Sequence, residues 1–342
     1  MALGRRDEPF AADRRRLWIE WSAAAIFSAV LLLTLIFSGA TGRLDDAIYD
    51  FSIKLHHLKP RSDVVIVAVD AKSLQEIGPW PWSRATQAEL IRKVGLDHPR
   101  AMAYDFLVAD PGAPADDEAL RAAMLTAPTY LGTYRNPAHT ERPWITYEPF
   151  PQAAKAAAGL GPMDADMDAL SVVRRTFLFQ GRRGRLVPIA MLQMAQLENM
   201  GPDVSRIAYP ASGGDDPLYK AGEFLIPFVG PLGTIHRVSA GAVLRGLVPD
   251  STFRGKLVLI GPTAPGLLDT YQTPTSTMDQ MPNVEIQANI LNGILSGNDF
   301  VIVQKWEVFL LSATLIAVLL FALVRLGPRE NLLLSVGLAV IP

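Results

Sequence analysis

Leu257–Ile260 is an unbroken run of β-favouring apolar residues that stops at Gly261. That is the pattern of a strand covered on both faces. A Pro-rich polar stretch follows, and then Val284, Ile286, Ile290, Leu291, Ile294 and Leu295 return at helical spacing. A strand that needs cover on two sides, followed by a helix, restricts the chain to a layered α/β architecture. Ligands of open α/β sheets bind beyond the carboxyl ends of the strands. The long loop after Ile260 therefore has two readings, a binding element or a packed connection.

Two other stretches obey the same rule. Val64–Val69 is a β-branched run ending at Asp70, and Ala101–Tyr104 ends at Asp105. Ser83 is placed to N-cap a helix through Val94 with Leu90, Ile91 and Val94 as its apolar face. Ala115–Leu125 reads as a helix and Thr129–Gly132 as a short strand. Strand and helix in alternation imply parallel pairing with right-handed crossovers. The predicted fold is α/β: one mixed, largely parallel sheet covered by helices on both faces. Val64–Val69, Ala101–Tyr104 and Leu257–Ile260 are expected as its neighbouring central strands.

Further along, Thr176–Phe179 is predicted as a strand with a turn over Gly181–Gly184. Pro188 is expected in the first turn of a helix spanning Ile189–Asn199. Phe224–Val229 reads as an edge strand because of Pro227, and Val238–Arg245 as a short helix. The Gly/Pro-containing polar loop 201–222 has no assignable structure, and no internal repeat is present.

The two ends obey a different rule. Hydrophobic residues make up 49% of the 342, and their densest blocks lie outside the α/β pattern. Residues 17–38 carry one charge, Glu20, near their start; at ~1.5 Å per residue this helix would cover roughly 33 Å, a bilayer core. Five arginines precede it, at 5, 6 and 14–16, and Trp18 and Trp21 sit at an interfacial position. A cleaved secretory signal ending at Ser38-Gly39-Ala40 is the alternative. Residues 306–324 form a second block with Glu307 as its lone charge, Arg325 and Arg329 follow, and 332–342 begin a third apolar run. The expected organisation is a cytoplasmic tail 1–16, a transmembrane helix 17–38 and an extracytoplasmic domain 39–305. A transmembrane helix 306–324, a short cytoplasmic loop 325–331 and the start of a third span at 332–342 complete it. In between, Leu44, Ile48, Phe51 and Leu55 recur at helical spacing and predict a stalk-like amphipathic helix.

Composition removes several chemistries. A net charge of −2 without a basic stripe gives no footprint for nucleic acid. Zero cysteines exclude disulfides, thiolate metal sites and a Cys nucleophile. The turn Gly261–Gly266 has the glycine spacing of a phosphate loop, but Leu267 and Leu268 replace its Lys and Ser/Thr, and Pro262 and Pro265 remove two amide donors. Asp164, Asp166 and Asp168 alternate like a calcium loop, yet Ala169 stands for its glycine and Arg175 for its final glutamate. An acidic turn answered by Arg174 and Arg175 is the simpler reading, with an irregular cation site as its alternative. No His pair or nucleophile–base motif occurs: His56, His57, His98, His139 and His236 form no H-E-x-x-H, and Ser239 sits in a near miss of a nucleophile elbow. No catalytic residue, metal ligand or cofactor is predicted.

What remains is a constellation suited to binding. Asp70 and Asp105 end two strands, Thr263 and Asp269 follow a third, and Trp80, Trp82 and Arg84 supply aromatic faces and a charge. With Glu285 at the start of the last helix these are the candidate ligand-binding residues. The competing reading makes the carboxylates helix caps or ion-pair partners and the tryptophans core.

The run KLVLIGPTAPGLLDTYQTP with MPNVEIQANILNGIL, VVIVAVDAKSLQEIGPWPWSR upstream, and the paired arginines of VVRRTFLF together resemble the CHASE type 2 family (cyclase/histidine-kinase-associated sensory extracellular). The resemblance covers roughly residues 44–297. The chain departs from the family's D-x-D-G-x-x-R-R turn, reading Asp166-Met-Asp168-Ala-Leu-Ser-Val-Val-Arg174-Arg175. The resemblance implies a receptor in a bacterial inner membrane whose extracytoplasmic domain senses a small molecule or protein. Its output would be a cyclase, histidine kinase, Ser/Thr kinase or diguanylate cyclase, with a homodimer expected where a cyclase or kinase follows. A membrane-anchored periplasmic enzyme or substrate-binding protein is the alternative.

Overall fold

The structure is a computed structural model describing residues 22–23, 25–36, 38, 42–55, 58–135, 146–182, 185–199, 218–267, 270–297 and 305–325. Side chains at 182, 185, 305 and 319–325 are outside that set. So are Asp269, the tail 1–16, and residues 326–342 with the predicted third span. The chain divides into two compact units, Tyr49–Phe300 and a second made of Met1–Ile48 with Val301–Pro342.

Within Tyr49–Phe300 the order is β1 (Val64–Val69), α2 (Ala71–Ile77), α3 (Arg84–Gly95), β2 (Ala101–Tyr104), α4 (Pro114–Met124) and β3 (Thr129–Arg135). Helix α1 (Gly42–Leu55) leads into it. Next come β4 (Thr146–Tyr147), α5 (Pro151–Ala156), β5 (Gly159–Pro162), β6 (Arg175–Arg182), β7 (Arg185–Pro188) and α6 (Ala190–Gln196). The unit closes with β8 (Tyr219–Leu225), β9 (Arg237–Ser239), α7 (Ala240–Leu244), β10 (Leu257–Pro262), β11 (Thr270–Tyr271), β12 (Met281–Pro282) and α8 (Asn283–Ser296).

The main sheet has seven strands ordered β4-β3-β2-β10-β1-β9, with β5 also on β3. All its pairings are parallel except β3 with β4. The three apolar runs are neighbours at its centre, in register as Val64 with Leu257 and Leu257 with Ala101. Side chains alternate across a strand. Val64, Ile66 and Ala68 therefore enter a core with α6 and α8, while Val65, Val67 and Val69 enter another with α3, α4, α5 and α7. Both faces are covered, which is why these strands carry no polar residue.

The expectation of one sheet is corrected. β6, β7 and β8 form a separate antiparallel sheet ordered β7-β6-β8, and β11 with β12 a small hairpin. Three further boundaries differ. Pro188 ends edge strand β7 opposite Phe179, where its missing N–H breaks no ladder, and α6 begins only at Ala190. β8 stops at Leu225: the Ile226 amide makes the last ladder bond, to the Arg174 carbonyl, and the Val229 amide turns away to the Asn289 side chain. Val238 is extended beside Val67 of β1, and only Ala240–Leu244 is helical. The Ser83 cap is as expected, its side chain accepting from the Thr86 amide at 3.1 Å.

In the second unit, residues 25–36 are helical and α9 spans Lys305–Arg325. Ile26, Phe27, Val30, Trp306, Leu310 and Leu311 are exposed there. Among the described residues no helix is long and apolar enough to cross a membrane.

Candidate functional site

Helix α8 is the element on which polar chemistry converges. Asn283 through Leu295 are all buried, so no solvent-facing stripe exists for its polar residues. Positions 283, 285, 287 and 289 step by about 200° around the axis, which puts Asn283 and Gln287 on one face and Glu285 and Asn289 on nearly the opposite one. Each buried polar group then needs a partner of its own. Asn289 accepts from the Val229 amide at 3.0 Å and donates to the Glu285 carbonyl at 2.8 Å; Asn292 accepts from the Arg61 amide at 2.9 Å.

The amino end of α8 meets the end of β2. Asp105, 1% exposed, accepts from the Tyr134 hydroxyl at 2.8 Å and from Asn283 Nδ2 at 3.1 Å on each oxygen. Asn283 and Gln287 also donate to the Met163 carbonyl, at 2.8 and 2.9 Å. Burial pushes the Asp105 carboxyl up to about 6; the Tyr134 and Asn283 bonds oppose that, and nearby Asp164 adds to it. Tyr134 is itself pushed well up, by burial first and then by the Asp105 charge. Gly261 faces this corner: a Cβ there would lie 2.7 Å from Val284 and 3.2 Å from the Asp105 Cβ. Its glycine lets β10 touch α8.

Glu285 points elsewhere. Its Oε1 accepts from the Gly233 amide at 2.7 Å, and Arg237 Nη2 stands 3.6 Å from Oε2. Burial raises the Glu285 carboxyl against the pull of Arg237 and two backbone amides. Gly233 has φ +92°, and the Arg237 guanidinium crosses the space its Cβ would occupy.

The remaining candidates occupy two other neighbourhoods. Asp70 caps α2, accepting from the Ser73 amide at 2.7 Å and from the Ser73 and Ser239 hydroxyls at 2.6 and 3.0 Å. Trp80 stacks on Phe106 at 4.3 Å and tilts against Trp82 at 5.5 Å, while the Trp82 indole donates to the Gly78 carbonyl. Arg84 donates to the Asp110 carbonyl at 2.8 Å, lies 3.6 Å from Asp117 and covers the Phe150 ring. Thr263 donates its amide to the Val69 carbonyl at 3.0 Å. Asp269 lies outside the described residues. Asp70, Arg84, Asp105 and Glu285 are thus each engaged by different partners from the fold.

The acidic turn is a second polar centre. Asp164 faces Arg135, Asp166 pairs with Lys220 and Arg135, and Asp168 pairs with Arg174. Arg174, 5% exposed, also grips both oxygens of Asp50 on α1 at 2.8 Å. Arg175 turns to Glu223 across the β6–β8 ladder instead. Asp50 holds the Arg174 guanidinium charged beyond its usual range, against burial, and Asp168 adds to this. Among the described residues no group of three or more His, Asp or Glu could hold a metal ion.

Sequence spacing alone missed Tyr134, Asn283, Gln287, Asp50 and Arg237. One signal was available: polar residues at every second position of a helix cannot all reach water.

A family model described as CHASE2 domain matches residues 27–324. The chain belongs to the CHASE2 domain family. CHASE2 domains are extracellular sensor domains of signalling receptors, not catalytic domains. No curated protein and no solved structure matches the chain. In this CHASE2 domain the run Asn283–Asn289 supplies the partners of Asp105, Met163, Gly233 and Val229, and the first of the two arginines ties the acidic turn to α1. The matched span also takes in residues of both apolar segments, 27–38 and 306–324.

Proposed function

We propose that this CHASE2 domain is the extracytoplasmic sensor of a multi-pass inner-membrane receptor. Residues 17–38 and 306–324 span the membrane, and 39–305 lie outside the cytoplasm. The sensed state passes through the spans to a cyclase or kinase output elsewhere in the receptor. The observation that carries this reading is the Arg174 clamp. Helix α1 follows the first apolar block after only a few residues, and the buried arginine fixes it to the acidic turn of the domain. A change in the domain's state is thereby available to the helix nearest the membrane. Exposed Ile26, Phe27, Val30, Leu310 and Leu311 support a lipid environment for the flanking helices. The charge bias agrees, with five arginines before the first block and Arg325 and Arg329 after the second. The stimulus is a small molecule or a protein.

Alkaline phosphatase fusions test the placement. A fusion after Gly201 is expected to be active in the periplasm and one after Gly327 inactive. The reverse pattern would invert the chain and remove the reading.

A further inference from the structure

Helix α1 leaves its regular apolar stripe exposed. Tyr49 and Ile53 are the buried positions, at 7% and 3% exposure, and Asp50 beside them meets Arg174. Leu44, Ile48, Phe51 and Leu55 point outward, exposed by 61, 56, 66 and 62%. At about 100° per residue these four side chains lie within roughly 60° of one another, opposite Tyr49 and Ile53.

Their spacing is 4, 3, 4, the repeat of a coiled-coil seam. Such a seam is satisfied by another helix with the same repeat lying alongside. A second copy of this chain brings that repeat in the matching register. Under the membrane reading above, on which this inference rests for its geometry, both copies present α1 at the same height and in the same direction. The flanks permit close approach. In a parallel pair the flanking contact that falls inside α1 joins Ala47 of one helix to Ser52 of the other, two small uncharged residues. No like charges are forced together there. We propose that Leu44, Ile48, Phe51 and Leu55 form a parallel two-helix seam with the same four residues of a second copy of this chain.

The seam is too short to hold a dimer in free solution, where a stable interface takes about 800 Å² from each partner. Two chains confined to one membrane face a far smaller search, and a weak contact becomes occupied through effective concentration. The dimer is therefore expected of the full chain in the membrane.

The absence of cysteine makes the test clean. Single-cysteine variants of the full chain, in native membranes, are oxidised with copper phenanthroline and read as covalent dimer. Ile48→Cys, Phe51→Cys and Leu55→Cys are expected to crosslink several-fold more than Arg43→Cys and Asp46→Cys on the other faces. Adding Ile48→Asp to the Leu55→Cys variant is expected to abolish its crosslink; Ile48 is exposed, so the change spares the core. Equal crosslinking at all positions, no dimer at the seam in membrane-inserted protein, persistence with Ile48→Asp, or crosslinking of the seam to another protein or to lipid alone overturns the proposal. The oxidant reaches both sides of a membrane vesicle, so an inverted topology leaves the crosslinking pattern intact and is read by the phosphatase fusions alone.

Discussion

Asp105→Asn is expected to change how the domain's stability depends on pH. The unfolded chain holds this carboxyl at its ordinary value of 3.8, while burial in the fold pushes it up to about 6. A folded value above the unfolded one means that the folded state binds the proton more tightly. Stability from this group therefore rises as pH falls through about 6 and levels off below about 4. At about 1.4 kcal/mol per pH unit, the wild-type chain gains about 2 kcal/mol between about pH 7 and about pH 4.5 from Asp105 alone. Asparagine removes that gain with little steric change: its oxygen accepts from Asn283 Nδ2, and its amide donates to the Tyr134 hydroxyl. Other groups titrate too, since burial also raises Glu285 and Asp164. The informative quantity is the difference between wild type and variant at each pH. Thermal unfolding of the full chain in detergent measures it. At roughly 2–4 °C per kcal/mol, the wild type is expected to gain about 4–8 °C on the variant between the two pH values. Parallel pH curves would show that Asp105 titrates as an ordinary carboxylate and would refute the reasoning.

Arg174→Ala strands Asp50 and Asp168 beside a buried site and is expected to cost about 2–3 kcal/mol, tempered by their partial exposure. Arg175→Ala, losing a half-exposed pair with Glu223, is expected to cost about 1 kcal/mol or less; equal losses in a denaturant titration would deny the clamp. Gly261→Ala drives a methyl against Val284 and the Asp105 Cβ, and a destabilisation of about 1–3 kcal/mol in the same assay is expected. A neutral result there would mean that β10 and α8 part freely.

The centre of the fold was legible because its strands must be apolar on both faces: Val64–Val69, Ala101–Tyr104 and Leu257–Ile260 admit little else. Ser83 was legible as a cap because the chemistry is local. The β6–β8 sheet was not assigned, since a period of two reports a strand and not the sheet it joins. Val238 reads as helical in the sequence because three residues of strand leave too short a trace before Ala240–Leu244. Of the site, Asp105 could be placed at a strand end, but its partners lie 29 and 178 positions away, beyond any spacing rule. In the sequence Arg174 and Arg175 form one pair answering the acidic turn. Strand alternation sends them to opposite sides, and Asp50 on α1, which completes the clamp, is 124 residues distant. The stripe on α1 was read correctly as a pattern, while its outward direction is fixed by Tyr49 and Ile53.

The segment Ile226–Val229 joins these centres. Its first carbonyl accepts from the Tyr49 hydroxyl and its first amide donates to the Arg174 carbonyl, while the Val229 amide donates to Asn289 of α8. Pro227 lies against Gly293 of the same helix, so closely that a Cβ at 293 would fall 2.4 Å from the proline ring. A shift of α8 at the Asp105 corner therefore cannot leave this segment in place without breaking a buried hydrogen bond or a close contact. A shift of the segment in turn bears on Tyr49 and on the strand end that carries Arg174. Packed interiors respond to such displacements by moving between discrete arrangements. Under the sensor function proposed above, α1 would register the change: it is held by Tyr49 and Asp50, and its exposed stripe carries the repeat that a second copy would meet.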